Sequence, residues 1–568
     1  MDEARVEFTF THSDEDNHVQ VFAVNDECYR CTFEARNRND CNPGNDDCTD
    51  LEPNSTYAFT FDSLFAWDIQ VRTKDDNATV LWTTRQTFLD RAEYAIQVNQ
   101  SDAGTVQASF LQTRDGTTSS IMLIVLILIL VWPLACLGLF CFRKQRRRRD
   151  ENNLATYREA NEDDELRRGI LSTEAPTETP IDAKKKPTRV VCLDVFRGII
   201  IFTMIFVNLG GGSFWYFNHA AWNGLTFADI VFPCFAWIMG VTMNIGVASH
   251  VKKQTKLWKM LVDGFLRAVK LFLLGLFVND FRNFKGGRIP GVLQSFGFAY
   301  FYVTCAVVAG LAVESKSMPF LRRAVEGCIV LAVVVANLLV VFYLPVDGCP
   351  TGYLGPGGRG DDGLYPNCIG GAHLVVDRKI FGDAYMMQGG GTAAWIYGSG
   401  GPWDPEGFLN WLMVAFTAYL GYVVGGIFLK ESRVVWKVCI LGGTGAVLAV
   451  VGLALCGFKT NGGWIPINKN LWSLSFVLTV SGIACGMLAL LYLIVDKWAI
   501  WGGTPFKQNG MNAIALYVGH EVLAQHVPFG WDRDGDSHTQ AALSNLGGAV
   551  AWTLVALWMH GQGIFITV

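Results

Sequence analysis

Long apolar runs fill most of the chain after residue 120, and runs of this length are typical of membrane-spanning helices. The pattern predicts eleven spans, of which the last two are the shortest. They cover residues 121–142, 192–210, 226–248, 260–278, 291–313, 324–344, 408–429, 438–457, 471–495, 511–527 and 549–560. The predicted fold class is therefore a polytopic α-helical membrane protein.

Before the first span, apolar and polar residues alternate in short stretches. The stretches at residues 19–24, 57–61, 67–71, 80–84 and 94–98 predict strands of a small β-sandwich. A charged segment without an apolar face follows the first span and predicts a flexible linker. The predicted organisation begins with a luminal glycosylated β-rich domain at 1–118 and a first transmembrane helix at 119–142. A cytosolic linker at 143–188 follows. The rest, 189–568, is predicted to be a ten-helix catalytic transmembrane domain with a luminal loop at 345–406.

The composition agrees with this class, because 51% of the 568 residues are hydrophobic and only 17% are charged. The net charge of −5 says little about partners, since the charges are segregated along the chain. A basic cluster at 143–149 follows the first span, and such clusters stay in the cytosol. The N-terminus is therefore predicted to be luminal and, after eleven spans, the C-terminus cytosolic. The predicted cytosolic loops carry Lys252, Lys253, Lys256, Lys259, Lys316, Arg322, Arg323, Lys430, Arg433 and Lys437.

The N-terminal region carries the marks of an oxidising compartment. Asn54, Asn77 and Asn99 begin glycosylation sequons, all before the first span. Four cysteines in this region can form two disulfides in three pairings, and two more bracket a segment of the long luminal loop that a disulfide would close. These cysteines are Cys28, Cys31, Cys41, Cys48, Cys349 and Cys368. Residues 1–5 lack the apolar core of a signal peptide, so we expect a truncated sequence or a first span that acts as a reverse anchor; the length of the tail favours truncation.

One loop between two predicted spans concentrates reactive side chains on the luminal side. Residues 206–233 place a single histidine, His219, among three successive glycines, several aromatic rings and amide side chains. A simple reversal of the chain needs only a few polar or glycine residues. An interfacial aromatic belt is the alternative explanation, and a lone histidine often only satisfies a local hydrogen bond. We predict a reactive site at His219.

Polar residues in and beside the spans are a second signal, because ionisable groups in a bilayer are costly and usually face a cavity or a partner. Asp194 and Arg197 lie one turn apart, either as a structural ion pair or as a phosphate site. The other polar or interfacial residues are Asn208, Arg267, Lys270, Arg288, Asn468, Lys469, Asn470, Trp472, Asn512, His520 and Glu521. Their spread over both membrane faces predicts a pocket, a channel or a transmembrane active site.

Six ordered segments, from about residue 191 to beyond residue 521, closely resemble the heparan-alpha-glucosaminide N-acetyltransferase family. They are DVFRGIIIFTMIFVNLGGGSFWYFNHAAWNGLTFADIVFPCFAWIMG, GGRIPGVLQ, CPTGYLGPGGRGDDGLYPNCIGGAHLVVDR, DPEGFL, GWIPINKNLWSLSF and GTPFKQNGMNAIALYVGHEV. The resemblance implies acetyl transfer from cytosolic acetyl-CoA to the terminal non-reducing glucosamine of heparan sulfate, across the lysosomal membrane. It also implies that His219 is the active histidine and that Asn208 acts beside it. The N-terminal domain resembles the family less than the membrane domain does. A homodimer is one candidate assembly.

Histidine suits this chemistry, because its ordinary pKa of ~6.5 lets it take a proton from the attacking amine. His219 could act as a base in a direct transfer or carry the acetyl group as an acyl-imidazole, and the sequence leaves both routes open. Asn208 could orient the imidazole or donate to the thioester oxygen. Arg197 and Arg267 are candidate partners of the CoA phosphates. The candidate substrate-binding residues are Trp215, Asn223, Arg288, Asn468 and Trp472, and no metal site is predicted.

Other function classes fit parts of the pattern. An O-acyltransferase acting on another luminal polysaccharide would use the same histidine and thioester. A transporter would explain polar residues in the spans, but transporters commonly contain an internal repeat, and none is evident here. A structural or adhesion protein leaves these polar residues unexplained. The predicted partners are a heparan sulfate oligosaccharide, acetyl-CoA and the lipid bilayer, without nucleic acid.

Overall fold

The structure is a computed structural model. It describes residues 3–12, 18–39, 46–74, 79–101, 105–115, 190–279, 287–314, 320–389, 391–524, 526–529 and 538–566. The predicted first span, the basic cluster after it and the predicted linker lie outside the described residues, as do Asn77 and Cys41.

The N-terminal region is rich in β-structure, as predicted. Its strands are β1 (Glu3–Thr11), β2 (Val19–Asn25), β3 (Glu34–Ala35), β4 (Asp50–Leu51), β5 (Thr56–Asp62), β6 (Ala66–Thr73), β7 (Val80–Thr87), β8 (Glu93–Gln100) and β9 (Val106–Arg114). One sheet has the order β5-β1-β8-β9, and the other has the order β3-β2-β6-β7 with β4 paired to β2. Both sheets contribute to one buried apolar cluster. The β-rich region is confirmed, whereas the sandwich arrangement of the two sheets stays a prediction.

The rest of the described chain is helical. Its helices are α1 (Val191–Asn208), α2 (Phe227–Lys252), α3 (Leu257–Val278), α4 (Val292–Ala312), α5 (Leu321–Tyr343), α6 (Ala372–Ile380), α7 (Gly391–Tyr397), α8 (Phe408–Lys430), α9 (Val434–Leu455), α10 (Leu474–Leu491), α11 (Phe506–Met511), α12 (Ala513–Val522) and α13 (His538–Gly561). Within the described ranges, eight of these helices are long and apolar enough to cross a membrane, namely α1, α2, α4, α5, α8, α9, α10 with its continuation to Lys497, and α13. A polytopic helical membrane protein is thus confirmed.

Three predicted spans differ from the structure. The span predicted at 549–560 is only the second half of α13, which begins at His538. The span predicted at 511–527 is interrupted at Asn512, whose backbone leaves the helical region between α11 and α12. The Asn512 amide donates to the Ile564 carbonyl and accepts from the Ile566 N–H, so it is engaged by the C-terminal segment instead of by a continuous helix. The span predicted at 260–278 is a helix, α3, but its charged residues exclude it from the eight. The count of eleven spans stays a prediction.

Two glycines bring α2 and α8 into close contact. A Cβ at Gly240 would lie 1.8 Å from the carbonyl oxygen of Ala418, and one at Gly421 would lie 2.0 Å from that of Trp237. Small residues of this kind let the backbones of membrane helices approach each other. The packing fixes α2, whose first turn carries part of the candidate site described below.

Three of the connections between the helices lie together on one face of the bundle. The Trp222 indole, in the α1–α2 connection, donates to the Leu354 carbonyl at 2.8 Å, and the Asn223 amide donates to Asn461 at 2.8 Å. Leu354 belongs to the long loop, residues 345–406, and Asn461 to the α9–α10 connection. The segment that bears His219 therefore lies on the same face as the long loop.

The N-terminal region docks on this face through the segment that contains Cys28 and Cys31. The Tyr397 hydroxyl donates to the Glu27 carbonyl at 3.0 Å and accepts from the Tyr29 N–H at 3.2 Å. Cys28 is disulfide-bonded to Cys31, and Cys349 to Cys368, which closes the long loop as predicted. Cys48 is also disulfide-bonded.

Candidate active site

The chain leaves α1 at Asn208 through three glycines in the left-handed region. Gly210, Gly211 and Gly212 have φ values of 114°, 56° and 73°, which residues other than glycine rarely adopt. A Cβ on Gly212 would also lie only 2.7 Å from the Ala542 Cβ of α13. The glycines therefore turn the segment tightly under α13 and carry it toward His219.

His219 forms a hydrogen-bonded pair with Asp229 in the first turn of α2. The imidazole Nδ1 lies 2.7 Å from Asp229 Oδ1, the His219 side chain is 42% exposed, and that of Asp229 is 1% exposed. An ionised carboxylate only accepts hydrogen bonds, so Nδ1 is the protonated nitrogen of a singly protonated ring and Nε2 keeps its lone pair. The pair presents a basic, nucleophilic nitrogen at an accessible position.

Asp229 is held rigidly by the start of α2. Its Oδ2 lies 3.2 Å from the Ala220 backbone nitrogen and 3.1 Å from that of Thr226, and both N–H groups donate to it. The Thr226 hydroxyl lies 3.0 Å from the same oxygen and 2.6 Å from the Asn218 carbonyl. Thr226 and Asp229 form a capping box at the helix N-terminus. The cap therefore orients the carboxylate, and the carboxylate orients His219.

A buried charge network lies close to this pair. Arg288 binds Asp404 with two hydrogen bonds of 2.8 and 2.7 Å and also contacts Glu406. Lys469 Nζ lies 3.6 Å from Glu406 Oε1. Burial opposes the ionisation of Glu406, but the charges of Arg288 and Lys469 lower its pKa, and His219 adds to this effect. His219 thus lies within electrostatic range of a buried anion.

Two other titratable groups of the long loop carry little charge in acidic solution. Burial raises the pKa of Asp377 to about 8, and burial lowers the pKa of His373 to about 4. Asp377 accepts the Phe408 N–H at 2.8 Å, which is a structural contact at the start of α8. Between about pH 4 and 8, both residues are therefore mostly uncharged.

Asn208 lies in a second polar cluster. Its Nδ2 is 3.0 Å from His520 Nε2 and 3.0 Å from Glu521 Oε1. His520 Nδ1 is 3.1 Å from the Leu516 carbonyl oxygen, so Nδ1 carries a proton and Nε2 can accept from Asn208. Both N–H groups of Asn208 are then used, and its Oδ1 remains as an acceptor. The hydrogen bonds of Asn208 run to α12 and not to His219.

The two predicted phosphate-binding arginines line one cavity inside the helix bundle. This cavity has a volume of about 170 Å³ and an otherwise mostly apolar wall. Arg197 donates to Asp194 at 2.7 Å, and the Arg267 guanidinium lies 4.4 Å from the centre of the Tyr300 ring. Tyr517 also lines the cavity and is within electrostatic range of both Glu406 and Glu521. The cavity therefore runs between the two arginines and the region of the two polar clusters.

The other predicted substrate residues occupy three kinds of position. The Trp215 side chain is exposed on the same connection as His219. Asn468 is buried and donates to Asn223 at 3.1 Å, so these two amides join the α9–α10 connection to the His219 segment. Trp472 is 0% exposed and donates to Thr417, and its ring packs on Phe232. Neighbouring side chains cover the Trp472 ring, and its contact with a substrate stays a prediction.

Asp229, Glu406 and Lys469 are the main participants that sequence reasoning missed as site residues. The spacing Thr226-x-x-Asp229 at the start of an apolar run is a capping-box signal that could have drawn attention to Asp229. No local pattern reports the contact of Glu406 with Lys469, because the two residues are separated by α8 and α9. In the part of the chain that the structure describes, no group of three or more His, Cys, Asp or Glu residues could hold a metal ion.

Comparison with known proteins gives close relatives of one kind. The chain is 38% identical over 401 residues to heparan-alpha-glucosaminide N-acetyltransferase of Homo sapiens, a match that covers 67% of this chain and 60% of the human protein. It is 37% identical over 413 residues to the protein of the same name from Mus musculus, covering 68% and 61%. The chain thus spans about 60% of the length of the curated relatives it matches. No protein-family model matches the chain.

Proposed function

Because this chain belongs to the heparan-alpha-glucosaminide N-acetyltransferase family, we propose that it transfers an acetyl group from acetyl-CoA to the terminal non-reducing glucosamine of heparan sulfate. The observation that carries the proposal is the 2.7 Å contact between His219 Nδ1 and Asp229 Oδ1. It leaves Nε2 of an accessible histidine free to take a proton or an acetyl group.

In the proposed reaction, the free amine of glucosamine attacks the thioester carbonyl. A C–N bond forms, the C–S bond breaks, and His219 Nε2 takes the proton that the amine loses and passes it to the leaving thiolate. Asp229 accepts the Nδ1–H throughout, so it stabilises the imidazolium that forms. In the alternative acyl-imidazole route, Nε2 attacks the thioester, a C–N bond to the imidazole forms, the C–S bond breaks and the thiolate of CoA leaves. The amine then attacks the acetyl group, its C–N bond forms as the bond to Nε2 breaks, and Nε2 takes the proton that the amine loses.

The hydrogen bonds of Asn208 support a role toward the acceptor. Its two N–H groups face His520 and Glu521, so it has no N–H left to donate to a thioester oxygen. Its Oδ1 can accept an N–H from the glucosamine amine. We therefore favour amine positioning over stabilisation of an oxyanion for Asn208, with His520 and Glu521 as residues that position its amide.

The bundle cavity is our candidate for the acetyl-donor site. Its apolar wall suits a thin, uncharged pantetheine arm, and Arg197 and Arg267 suit the phosphates of CoA. Arg197 lies on α1 and Arg267 on α3, and Tyr517 extends the wall toward Glu406. An arm bound here would bring a thioester toward His219.

We further propose a lysosomal membrane location with His219 and the N-terminal region in the lumen. The N-terminal region and the His219 segment share one face, as a luminal domain and a luminal site require. The connections α2–α3 and α8–α9, on the opposite face, carry lysines and arginines such as Lys253, Lys256 and Arg433. Basic connections are typical of the cytosolic side.

One assay tests the proposed function against its rivals. Membranes containing the protein are given labelled acetyl-CoA with a glucosamine glycoside, with the same glycoside already N-acetylated, or with a polysaccharide that offers only hydroxyl groups. We expect label only on the free amine. Transfer to the hydroxyl acceptor would indicate an O-acyltransferase, and uptake of label without product would indicate a transporter.

The topology gives a separate prediction. Asn54, Asn77 and Asn99 are expected to be glycosylated, and an epitope tag after Val568 is expected to be cytosolic. The measurement is the mass shift on glycosidase treatment, combined with protease digestion of sealed vesicles whose cytosolic face points outward. A tag that resists the protease while these sequons are glycosylated would contradict an odd number of spans.

Asn208→Ala is expected to raise the KM for the glucosamine acceptor roughly tenfold, because one hydrogen bond to the amine is lost. The KM for acetyl-CoA is expected to stay unchanged, which a general loss of structure would not produce. Steady-state kinetics with each substrate varied in turn provides the measurement. Gln388→Ala, which removes an exposed amide of the long loop, serves as the control. A higher KM for acetyl-CoA with an unchanged KM for the acceptor would instead assign Asn208 to the thioester.

A further inference from the structure

A second, larger cavity lies between the N-terminal β-rich region and the long loop. Its volume is about 580 Å³, which falls within the roughly 300–1,000 Å³ of small-molecule sites. Arg36, Trp67 and the Cys28–Cys31 segment line it from the N-terminal region, and Arg359 and Trp395 line it from the long loop. Neither the proposed reaction nor the donor cavity uses these residues.

The Arg36 guanidinium is the central cation of this cavity. It lies over the rings of Trp67 and Phe61, 5.0 and 5.3 Å from their centres, and donates one hydrogen bond of 3.0 Å to the Thr60 carbonyl. A guanidinium has five N–H donors, and within the described ranges Arg36 forms no carboxylate ion pair. The stacked, planar group is thus held in place with most of its donors available to a ligand.

Arg359 brings a second guanidinium to the same cavity from the other side of the interface. Its Nε lies 2.8 Å from Glu34 Oε1, an ion pair that joins the long loop to the N-terminal region. Burial, together with the like charge of Arg359, lowers the pKa of Arg36, while Glu34 and Asp62 oppose this effect. Two like charges that face one cavity are stabilised when an anion binds between them, and the guanidinium fork matches carboxylate-like anions.

Aromatic and carboxylate groups narrow the class of ligand. The Trp395 side chain is 52% exposed and its ring is in contact with Phe65, so it offers an apolar face at the cavity wall. Glu3, Glu34 and Asp62 also line the cavity, and their carboxylates can accept hydrogen bonds from sugar hydroxyl groups. A flat apolar face, two arginines and several acceptors suit a hydroxyl-rich ring that carries separate acidic groups.

The position of the cavity connects it to the candidate active site. Cys28 and Ile396 form part of its wall and belong to the same buried cluster as Trp222, three residues from His219. A chain whose end lies at His219 can therefore continue along this face toward the cavity.

We infer that this cavity binds an internal, sulfate- and carboxylate-bearing part of the acidic glycan whose terminal glucosamine is acetylated. The inference rests on the proposed function for the identity of the chain. The existence of the binding site does not depend on that function. Arg36 and Arg359 would bind the acidic groups of an oligosaccharide, and Trp395 would pack against a sugar ring. The N-terminal region would thereby contribute directly to the selection of the acceptor.

The test compares two acceptors with the same reactive end. One is a glucosamine monosaccharide glycoside, and the other is a sulfated tetrasaccharide that ends in the same glucosamine. Arg359→Gln and Trp395→Ala are expected to raise the KM for the tetrasaccharide about tenfold, as the loss of a charge-assisted contact predicts, with kcat unchanged. Both kinetic constants for the monosaccharide are expected to stay at wild-type values. Arg114→Gln, which removes another exposed arginine that pairs with a glutamate, is the matched control.

A binding measurement separates this inference from the proposed reaction. A tetrasaccharide with a blocked, N-acetylated end is titrated into the full-length protein, and binding is followed by calorimetry. We expect saturable binding that Arg359→Gln weakens about tenfold, that Arg36→Lys also weakens because lysine lacks the fork, and that Arg114→Gln leaves unchanged. An unchanged affinity in Arg359→Gln and Trp395→Ala, or no binding to the wild-type protein, overturns the inference whether or not acetyl transfer is observed. An equal loss of activity with both acceptors overturns it as well.

Discussion

His219→Ala is expected to lower the kcat of acetyl transfer roughly 10²–10⁴-fold, the range that a positioned general base typically contributes. The imidazole is partly exposed and its ring contributes little to the core, so folding and glycosylation should persist. Asp229 would remain bonded to Ala220 and Thr226 in the variant, which keeps the start of α2 in place. The measurement is turnover of purified protein with acetyl-CoA and a glucosamine glycoside.

His250→Ala provides the control for this prediction. His250 lies at the other end of α2, where its ring contacts Thr255. The His250→Ala substitution removes a histidine side chain from the opposite face of the bundle, and we expect it to leave kcat unchanged. A His219→Ala protein that is normally glycosylated and turns over at the wild-type rate would remove the basis of the proposed mechanism.

The same variant distinguishes the two chemical routes. Wild-type protein and His219→Ala are mixed with radiolabelled acetyl-CoA without an acceptor and are quenched rapidly under mild conditions that preserve acetyl-imidazole. Label retained only by the wild-type protein supports the acyl-imidazole route. A lack of label, together with a rate that requires both substrates to be bound, leaves His219 as the base in a direct transfer.

The sequence located the reactive segment but not the geometry that activates it. A lone histidine among glycines and aromatic residues is visible as a local pattern, and so is the tight turn that three successive glycines permit. His219 pairs with Asp229, which is ten residues away in sequence. The pairing depends on how the α1–α2 connection folds back on the first turn of α2. A capping box hints at the position of the carboxylate, but only the fold shows that its second oxygen faces the imidazole.

Long-range contacts explain the other differences. Apolar runs predicted the long helices well, because a run of about twenty apolar residues is sufficient to span a bilayer. The interruption at Asn512 escaped this reasoning, since the Asn512 side chain is engaged by residues more than fifty positions away. Trp472 at the start of a span suggested an interfacial ring that contacts substrate, yet packing against Phe232 and Phe476 buries it.

The sequence singled out Arg288 and Lys469 from the network around Arg288, but not their carboxylate partners. Arg288 was predicted as a substrate-binding residue because a charged group stands beside a span. In the structure, its donors are directed to Asp404 and Glu406, so it orders the long loop against α4. Removing one partner from such a buried set leaves an uncompensated charge, which is strongly destabilising. We therefore propose that Arg288 acts on a substrate electrostatically, through Glu406 and Lys469.

Asp229→Asn is expected to lower kcat to a similar extent as His219→Ala, roughly 10²–10⁴-fold, although it changes one atom. The N–H groups of Ala220 and Thr226 donate to the Oδ2 position, so the amide oxygen of asparagine will occupy it and its NH₂ group will face His219. The NH₂ group donates to Nδ1, which moves the ring proton to Nε2 and removes the lone pair needed for catalysis. Turnover and thermal unfolding of the purified variant provide the measurements.

Asp377→Asn is the matched control, because it makes the same substitution at another buried carboxyl on this face. Burial raises the pKa of Asp377 to about 8, so this group is mostly uncharged below that pH, and an amide oxygen can still accept the Phe408 N–H. We expect its kcat to stay within about twofold of wild type. If Asp229→Asn unfolds at the wild-type temperature and also keeps wild-type turnover, the carboxylate does not set the tautomer of His219. If both variants lose activity equally, the loss reflects the packing of this face instead of the His219–Asp229 pair.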